Sequence, residues 1–219
     1  MITGSVGKQG ANHLHDVETV QQIINLRDDL RQTLPKLVVD GEMGDKTQTA
    51  IDQVQSGIMR NPDGRIDPYG TTIKTMWPRA YSNPTGLEVR GTDAYGSGHY
   101  GASRGTRTHD GADYISVPGQ HVTAPLSGKV TKISIPYSSG IDATVLSGVE
   151  IVASDGTTCW LWYMQPAENI VGSVVKAGND IIGTAKTLQN RYKDGMIDHL
   201  HLRIHARDDT KVDPETVIQ

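Results

Sequence analysis

His199-Leu200-His201-Leu202-Arg203-Ile204-His205 alternates without a break between apolar and polar side chains. A period of two puts Leu200, Leu202 and Ile204 on one face of a β-strand and the three histidines and Arg203 on the other. Residues two apart on one strand face stand about 6.5 Å from each other, so one of His199 and His201 can hold a metal while the other reaches its bound water. About ninety residues upstream, Thr108-His109-Asp110-Gly111-Ala112-Asp113-Tyr114 offers a histidine four residues before an aspartate. His109, Asp113 and one histidine of the pair make a set of nitrogen and oxygen donors suited to one zinc ion, with a fourth position left for water.

Short apolar runs with turn signals surround this pair. Residues 112–117, 121–124, 128–135, 149–153 and 157–164 read as strands, and Ser154-Asp155-Gly156 joins the last two as a hairpin. Two more short runs lie within 171–183. The second half is expected to be antiparallel β, closed as a sandwich or split barrel. Residues 91–105 carry five glycines with Tyr95, His99 and Tyr100 between them, a loop in which backbone can approach a ligand closely. Trp160 and Trp162 read as core and sheet-face residues and Cys159 as a small buried hydrophobe. Asp110 and Asp198, beside the donors, are placed to orient them.

The first third has a different period. His15-Asp16 can cap a helix carrying Val17, Val20, Ile23, Ile24, Leu26 and Leu30, expected to run to about Leu34 and stop at Pro35. Two related blocks follow: Asp40-Gly41-Glu42-Met43-Gly44 before Thr47, and Asp63-Gly64-Arg65-Ile66-Asp67 before Thr71-Thr72. Each reads as an Asp-Gly turn, an apolar contact and a helix entered through threonine. Three helices result, with residues 79–90 as a linker.

Composition bounds the partners. The chain has 219 residues, 36% hydrophobic and 21% charged, enough to bury a core. A net charge of -4 gives no reason to expect nucleic acid or an anionic membrane surface, and no apolar run is long enough for membrane insertion. With Cys159 as the only cysteine, neither an internal disulfide nor a thiolate metal cluster can form. The first residues lack the pattern of a signal peptide, so the expectation is synthesis in the cytoplasm and action in the periplasm or wall after delivery by other means.

Residues 4–78, through Val6-Gly7, Asn12, Asp16-Val17, Val20-Gln21, Asp40-Gly41, Gly44, Thr47 and Ala50-Ile51, resemble the small helical peptidoglycan-binding domain of bacterial and phage wall hydrolases. Residues 95–218 resemble the lysostaphin/LytM-type zinc metallopeptidases. That resemblance is carried by Tyr100 to Gly105, His109-x-Gly111-x-Asp113-Tyr114, Pro118-Gly119, Val122-x-Ala124-Pro125, Gly128-x-Val130, Gly178-x-x-Ile181-x-Gly183 and His199-Leu200-His201. Together they imply a two-domain α + β chain: residues 1–78 a three-helix wall-binding module, 79–90 a linker, and 91–219 a zinc peptidase domain. The resemblance makes His109, Asp113 and His201 the zinc ligands and places His199 beside the metal-bound water. Tyr100, Arg104 and His99 are candidate substrate-binding residues.

The implied activity is hydrolysis of peptide bonds in peptidoglycan stems or cross-links, by a phage endolysin-like or injected (type VI secretion) antibacterial enzyme. Secretion machinery and an immunity protein are possible partners. One departure stands out. The family's second active-site histidine lies in a Tyr-x-His-Leu segment, which here reads Tyr163-Met164-Gln165-Pro166. Gln165 can donate a hydrogen bond but cannot shuttle a proton near neutral pH. The alternative reading is therefore a zinc-containing, catalytically weak or inactive wall-binding protein.

Overall fold

The structure, a computed structural model, describes residues 1–31, 34–137, 146–192 and 195–218. Its largest element is a nine-stranded antiparallel sheet. The strands that build it are β5 (Ala112–Ile115), β6 (His121–Thr123), β7 (Gly128–Ser134), β8 (Ser147–Val152), β9 (Thr158–Pro166), β10 (Val174–Val175), β11 (Ile181–Ala185), β12 (His199–His205) and β13 (Lys211–Val212). Two-stranded ribbons are formed by β1 (Val6–Gly7) with β2 (Arg65–Ile66) and by β3 (Thr92–Asp93) with β4 (Gly96–Ser97).

The sheet forks at β9. On one side this strand pairs with β8 from Thr158 to Met164; on the other, Thr158 to Trp162 pair with β12 and Met164 to Pro166 with β11. The change of partner falls at Tyr163, whose φ is +74°. Opposite it the register with β8 jumps from Met164↔Ser147 to Trp162↔Gly148, leaving Tyr163 as the extra residue of a β-bulge. Alternation along β9 and β12 sends Cys159, Leu161, Leu200, Leu202 and Ile204 into one apolar core, all fully buried. This sends His199, His201 and Arg203 of β12, with Trp160 and Trp162 of β9, to the opposite face, where the site lies.

Six helices are present among the described residues: α1 (Leu14–Leu26), α2 (Asp28–Arg31), α3 (Asp45–Ile58), α4 (Thr71–Met76), α5 (Gln189–Tyr192) and α6 (Pro214–Val217). The first helix ends well before the expected Leu34, and residues 32–33 lie outside the described part. Arg27 leaves helical geometry at φ -114°, ψ 70°, and its guanidinium bonds the Asp29 carboxylate and the carbonyls of Thr75 and Met76. Nor does Asp16 cap the helix. It sits in the first turn and accepts from the N–H groups of Thr3 (2.9 Å) and Gly4 (2.7 Å), tying the start of the chain to α1.

The two related blocks share one polar device. Gln21 donates to Asp40 Oδ1 (2.9 Å) and Thr47 Oγ1 (3.2 Å) and accepts from the N–H of Gly41 (3.1 Å). Gln55 repeats this with Asp63 Oδ1 (2.9 Å), Thr72 Oγ1 (3.2 Å) and the N–H of Gly64 (2.7 Å). Each Asp-Gly turn is thus clamped by an amide from the preceding helix, and both threonines point inward as acceptors. Val17, Val20, Ile23, Ile24, Ile51, Val54, Ile66 and Ile73 bury themselves around these clamps in a second core.

That second core meets the sheet at β10, whose Val174 belongs to it. The Gln22 side chain accepts from the Val174 N–H (3.0 Å) and donates to the Gly172 carbonyl (3.3 Å). Lys129 of β7 reaches the His15 carbonyl (3.0 Å) and Thr19 Oγ1 (2.5 Å) of α1. Residues 79–90 run along the sheet: Ser82 N–H bonds Pro125 O, Ile115 N–H bonds Glu88 O, and Arg90 N–H bonds Asp113 O at 2.7 Å. Among the described residues no helix is long and apolar enough to cross a membrane.

Candidate metal centre

The pairing of β5 with β12 builds the site. Asp113 and His201 are direct cross-strand partners, and His201 also faces Trp162 across the β9 pairing. His109 enters from the loop ahead of β5, where Gly111 permits close approach. A Cβ at Gly111 would lie 2.4 Å from the Leu202 carbonyl oxygen and 2.7 Å from His201 Nε2.

Three donor atoms converge: His109 Nε2 lies 3.0 Å from His201 Nδ1 and 3.2 Å from Asp113 Oδ1, and His201 Nδ1 is 2.9 Å from that same oxygen. All three residues are among the buried or nearly buried set, and together they form a group able to hold a metal ion. His109 Nδ1 is 2.9 Å from the His99 carbonyl, so that nitrogen carries the proton and Nε2 offers a lone pair. Two imidazole lone pairs and a carboxylate oxygen pressed together call for a cation between them. A tetrahedral zinc with ligands at about 2.0–2.1 Å separates them by roughly 3.3 Å. The observed triangle needs to open only a few tenths of an ångström.

Arg90 sets the other side of the carboxylate. Fully enclosed, it pairs with Asp113 Oδ2 at 2.9 Å and with Asp93 at 2.6 Å, leaving Oδ1 to the donor triangle. Burial alone would raise the Asp113 carboxyl. The imidazoles of His109 and His201 pressed against it outweigh that effect and hold the group well below the usual carboxylate range.

His199 stands beside the triangle, outside it. Its Nδ1 is fixed by the Ile197 carbonyl at 2.7 Å, so Nε2 is the free lone pair, 3.7 Å from Asp113 Oδ2. Burial lowers this imidazole below its ordinary value and favours the neutral ring. A cleft of about 540 Å³ opens over these residues.

Of the other candidates, Arg104 lines the cleft, while Tyr100 and His99 do not. The His99 ring turns outward to Glu215 (2.8 Å), and the same carboxylate accepts from the Tyr100 N–H (2.7 Å); what His99 gives the site is its carbonyl. Gln165 is exposed beyond the bulge and lines a separate hollow with Ile133, Ser147 and Glu168. Asp110 faces His201 Nε2 at 3.9 Å and Arg203 at 3.4 Å. Asp198 instead binds the 187–189 turn, accepting from the Leu188 N–H at 2.6 Å.

The sequence analysis gave no site role to Arg90, to Trp162, read as a core or sheet-face residue, or to a group of tyrosines. Trp162 stacks on His201 with centroids 5.4 Å apart, a contact implied by extending the β12 alternation across to β9. Tyr163 sets its ring edge-on to His199 at 5.4 Å. Its hydroxyl accepts from Tyr137 at 3.2 Å, and Tyr137 and Tyr192 share a hydrogen bond of 2.8 Å. Burial raises the Tyr163 hydroxyl above its ordinary value, so it keeps its proton, and that proton has no acceptor among the described residues. No local sequence signal marks a bulge at this position.

No family model matches the chain. Leukocyte cell-derived chemotaxin-2 of Mus musculus is 29% identical to it over 126 residues, covering 58% of this chain and 79% of that protein. The antimicrobial peptidase lysostaphin from Staphylococcus simulans is similar with a TM-score of 0.44 and 23% identity, over 63% of this chain and 53% of its own. A zinc-containing peptidase from Vibrio cholerae gives a TM-score of 0.44 and 20% identity, over 64% and 40%. The chain spans about half the length of the lysostaphin chain it matches. The chain is similar in fold to lysostaphin/LytM-type peptidases, here built on a nine-stranded antiparallel sheet, and His109, Asp113 and His201 form a group that could hold a metal ion.

Proposed function

We propose that this protein is a zinc-dependent endopeptidase hydrolysing peptide bonds of peptidoglycan stems or cross-links, with residues 1–78 as a wall-binding module and 91–219 as the peptidase. The observation that supports it best is the donor triangle of His109, Asp113 and His201 with the free Nε2 of His199 beside it, at the floor of an open cleft. Bound by those three residues, zinc would lower the pKa of a coordinated water and polarise the scissile carbonyl.

The chain's own groups do the rest. His199 Nε2 accepts the proton of the attacking water, and the Ile197 carbonyl keeps the ring in the tautomer that can do so. Arg90 pins Asp113 in the rotamer that presents Oδ1. The Tyr163 hydroxyl, polarised by the bond it accepts from Tyr137, is the donor available to the oxygen of the reacting carbonyl. Tethering by the helical module raises local substrate concentration without adding contacts at the reacting bond.

The test uses the full chain and isolated sacculi. Hydrolysis releases new amino termini, a chelator stops the release, and His199→Ala stops it while zinc content stays intact. Release that survives His199→Ala would contradict the role given to that ring. A second reading, wall binding without cleavage, is favoured by Gln165 lying outside the cleft; full zinc occupancy with no release would select it.

A further inference from the structure

Four arginines line the metal cleft: Arg90, Arg104, Arg107 and Arg203. Three are committed to the protein. Arg90 pairs with Asp93 and Asp113. Arg104 donates to the Ser97 carbonyl at 2.6 Å and lies 3.8 Å from Asp113. Arg203 lies over the rings of Trp160 and Trp162, 4.5 and 4.8 Å from their centroids, and faces Asp110 at 3.4 Å.

Arg107 differs. It is exposed, and no carboxylate among the described residues stands within ion-pair distance of it. It forms part of the wall of the metal cleft and also of a second hollow of about 560 Å³, lined by Ser103, Thr106, Thr108, Asp110 and Lys211. Lys211 adds a half-exposed ammonium there, 3.9 Å from an Asp110 already shared with Arg203. The chain as a whole carries a net charge of -4, so an uncommitted guanidinium between these two hollows is a local feature and not overspill from a basic surface. A guanidinium presents a planar fork that takes a carboxylate through two parallel hydrogen bonds, which an ammonium cannot reproduce.

We propose that the hollow beside the metal cleft is a carboxylate subsite in which Arg107 reads a free carboxylate on the residue flanking the scissile bond. The inference rests on the hydrolase reading and adds the substrate class: acidic stem peptides or direct cross-links with an unblocked carboxylate next to the cleaved amide, in preference to glycine bridges or amidated stems. Arg107 is thus a specificity determinant and takes no part in the bond-breaking itself.

The test compares two synthetic cross-linked stem peptides that differ only in whether that carboxylate is free or a carboxamide, with amine release by the zinc-loaded full chain as readout. The wild type is expected to favour the acid about tenfold in kcat/KM, mostly through KM, the scale of one charge-assisted hydrogen-bonded pair. Arg107→Ala should bring the ratio near one, Arg107→Lys should keep part of it, and Arg107→Glu should invert it, all at unchanged zinc content. Equal cleavage of both peptides by the wild type, or an equal slowing of both by Arg107→Ala, would overturn the subsite. If neither peptide is cut at full zinc occupancy, the hydrolase reading fails. Quenching of tryptophan fluorescence by the same two peptides, with Trp162 in the cleft, then decides the subsite separately: a preference for the acid lost in Arg107→Ala supports it, and equal binding refutes it.

Discussion

Arg90 grips the outer oxygen of Asp113 at 2.9 Å while the inner oxygen faces His109 and His201, so a single buried arginine decides which lone pairs the carboxylate offers. Arg90→Met is expected to leave Asp93 enclosed without its counter-charge and Asp113 with only Arg104, 3.8 Å away. Removing one partner of a buried ion pair costs about 3–5 kcal/mol. Urea unfolding of the zinc-free protein should show a drop of that order, and zinc affinity should fall with it. An unchanged unfolding midpoint would mean the pair contributes nothing.

Gln21 and Gln55 make the same set of bonds to the two Asp-Gly turns. Gln21→Ala and Gln55→Ala are each expected to cost about 1–3 kcal/mol, because each leaves the glycine N–H of a turn without its acceptor. Parallel denaturation curves decide it: a substantial loss from one variant and none from the other would break the equivalence.

Asp16 gives a pH dependence independent of the metal. Burial would raise its carboxyl, but hydrogen bonds from the Thr3 and Gly4 N–H groups and the Thr3 hydroxyl outweigh that and lower it from 3.8. A depressed folded-state value stabilises the fold above the unfolded pKa, and the contribution is lost as pH falls through the folded one. Stability should therefore decline below about pH 4. Asp16→Asn should flatten that part of the profile and lower the plateau above it.

Tyr163→Phe removes a cleft hydroxyl whose proton has no acceptor among the described residues. If that proton reaches the reacting carbonyl, kcat should fall by about 100-fold with KM little changed, the scale of one lost oxyanion donor. A variant with wild-type turnover would remove Tyr163 from the chemistry.

Gly111→Ala is expected to lower both zinc content and stability. The added Cβ would meet the Leu202 carbonyl at 2.4 Å and the His201 ring, forcing β5 and β12 apart where two donors face each other. Elemental analysis of the purified variant measures it.

Much of this was legible in order along the chain. Strict alternation made β12 a strand and sent its histidines to one face, and the spacing of His109 and Asp113 put both within reach of it. Residues that act across the fold were harder to see. Arg90 lies in a stretch whose proline and glycine content reads as a connector, and only the folded register brings it to a carboxylate 23 residues on. Gln165 shares a face with Tyr163 in a regular strand, but the bulge at Tyr163 spoils that parity: Tyr163 lines the cleft and Gln165 does not. The first helix reads through Arg27 by apolar period alone, whereas the carbonyls of Thr75 and Met76, far along the chain, draw that side chain away.

The Gln22 carboxamide closes a rim that would otherwise lie open. β10 is the outermost strand on its side of the sheet, and its backbone groups are of the kind on which a foreign chain can zip up. A side chain borrowed from α1 imitates a neighbouring strand at Val174 and Gly172 and hides that template. Cutting the helices away would therefore do more than untether the protein: the remaining half should self-associate through β10, having lost a glutamine that never comes near the metal.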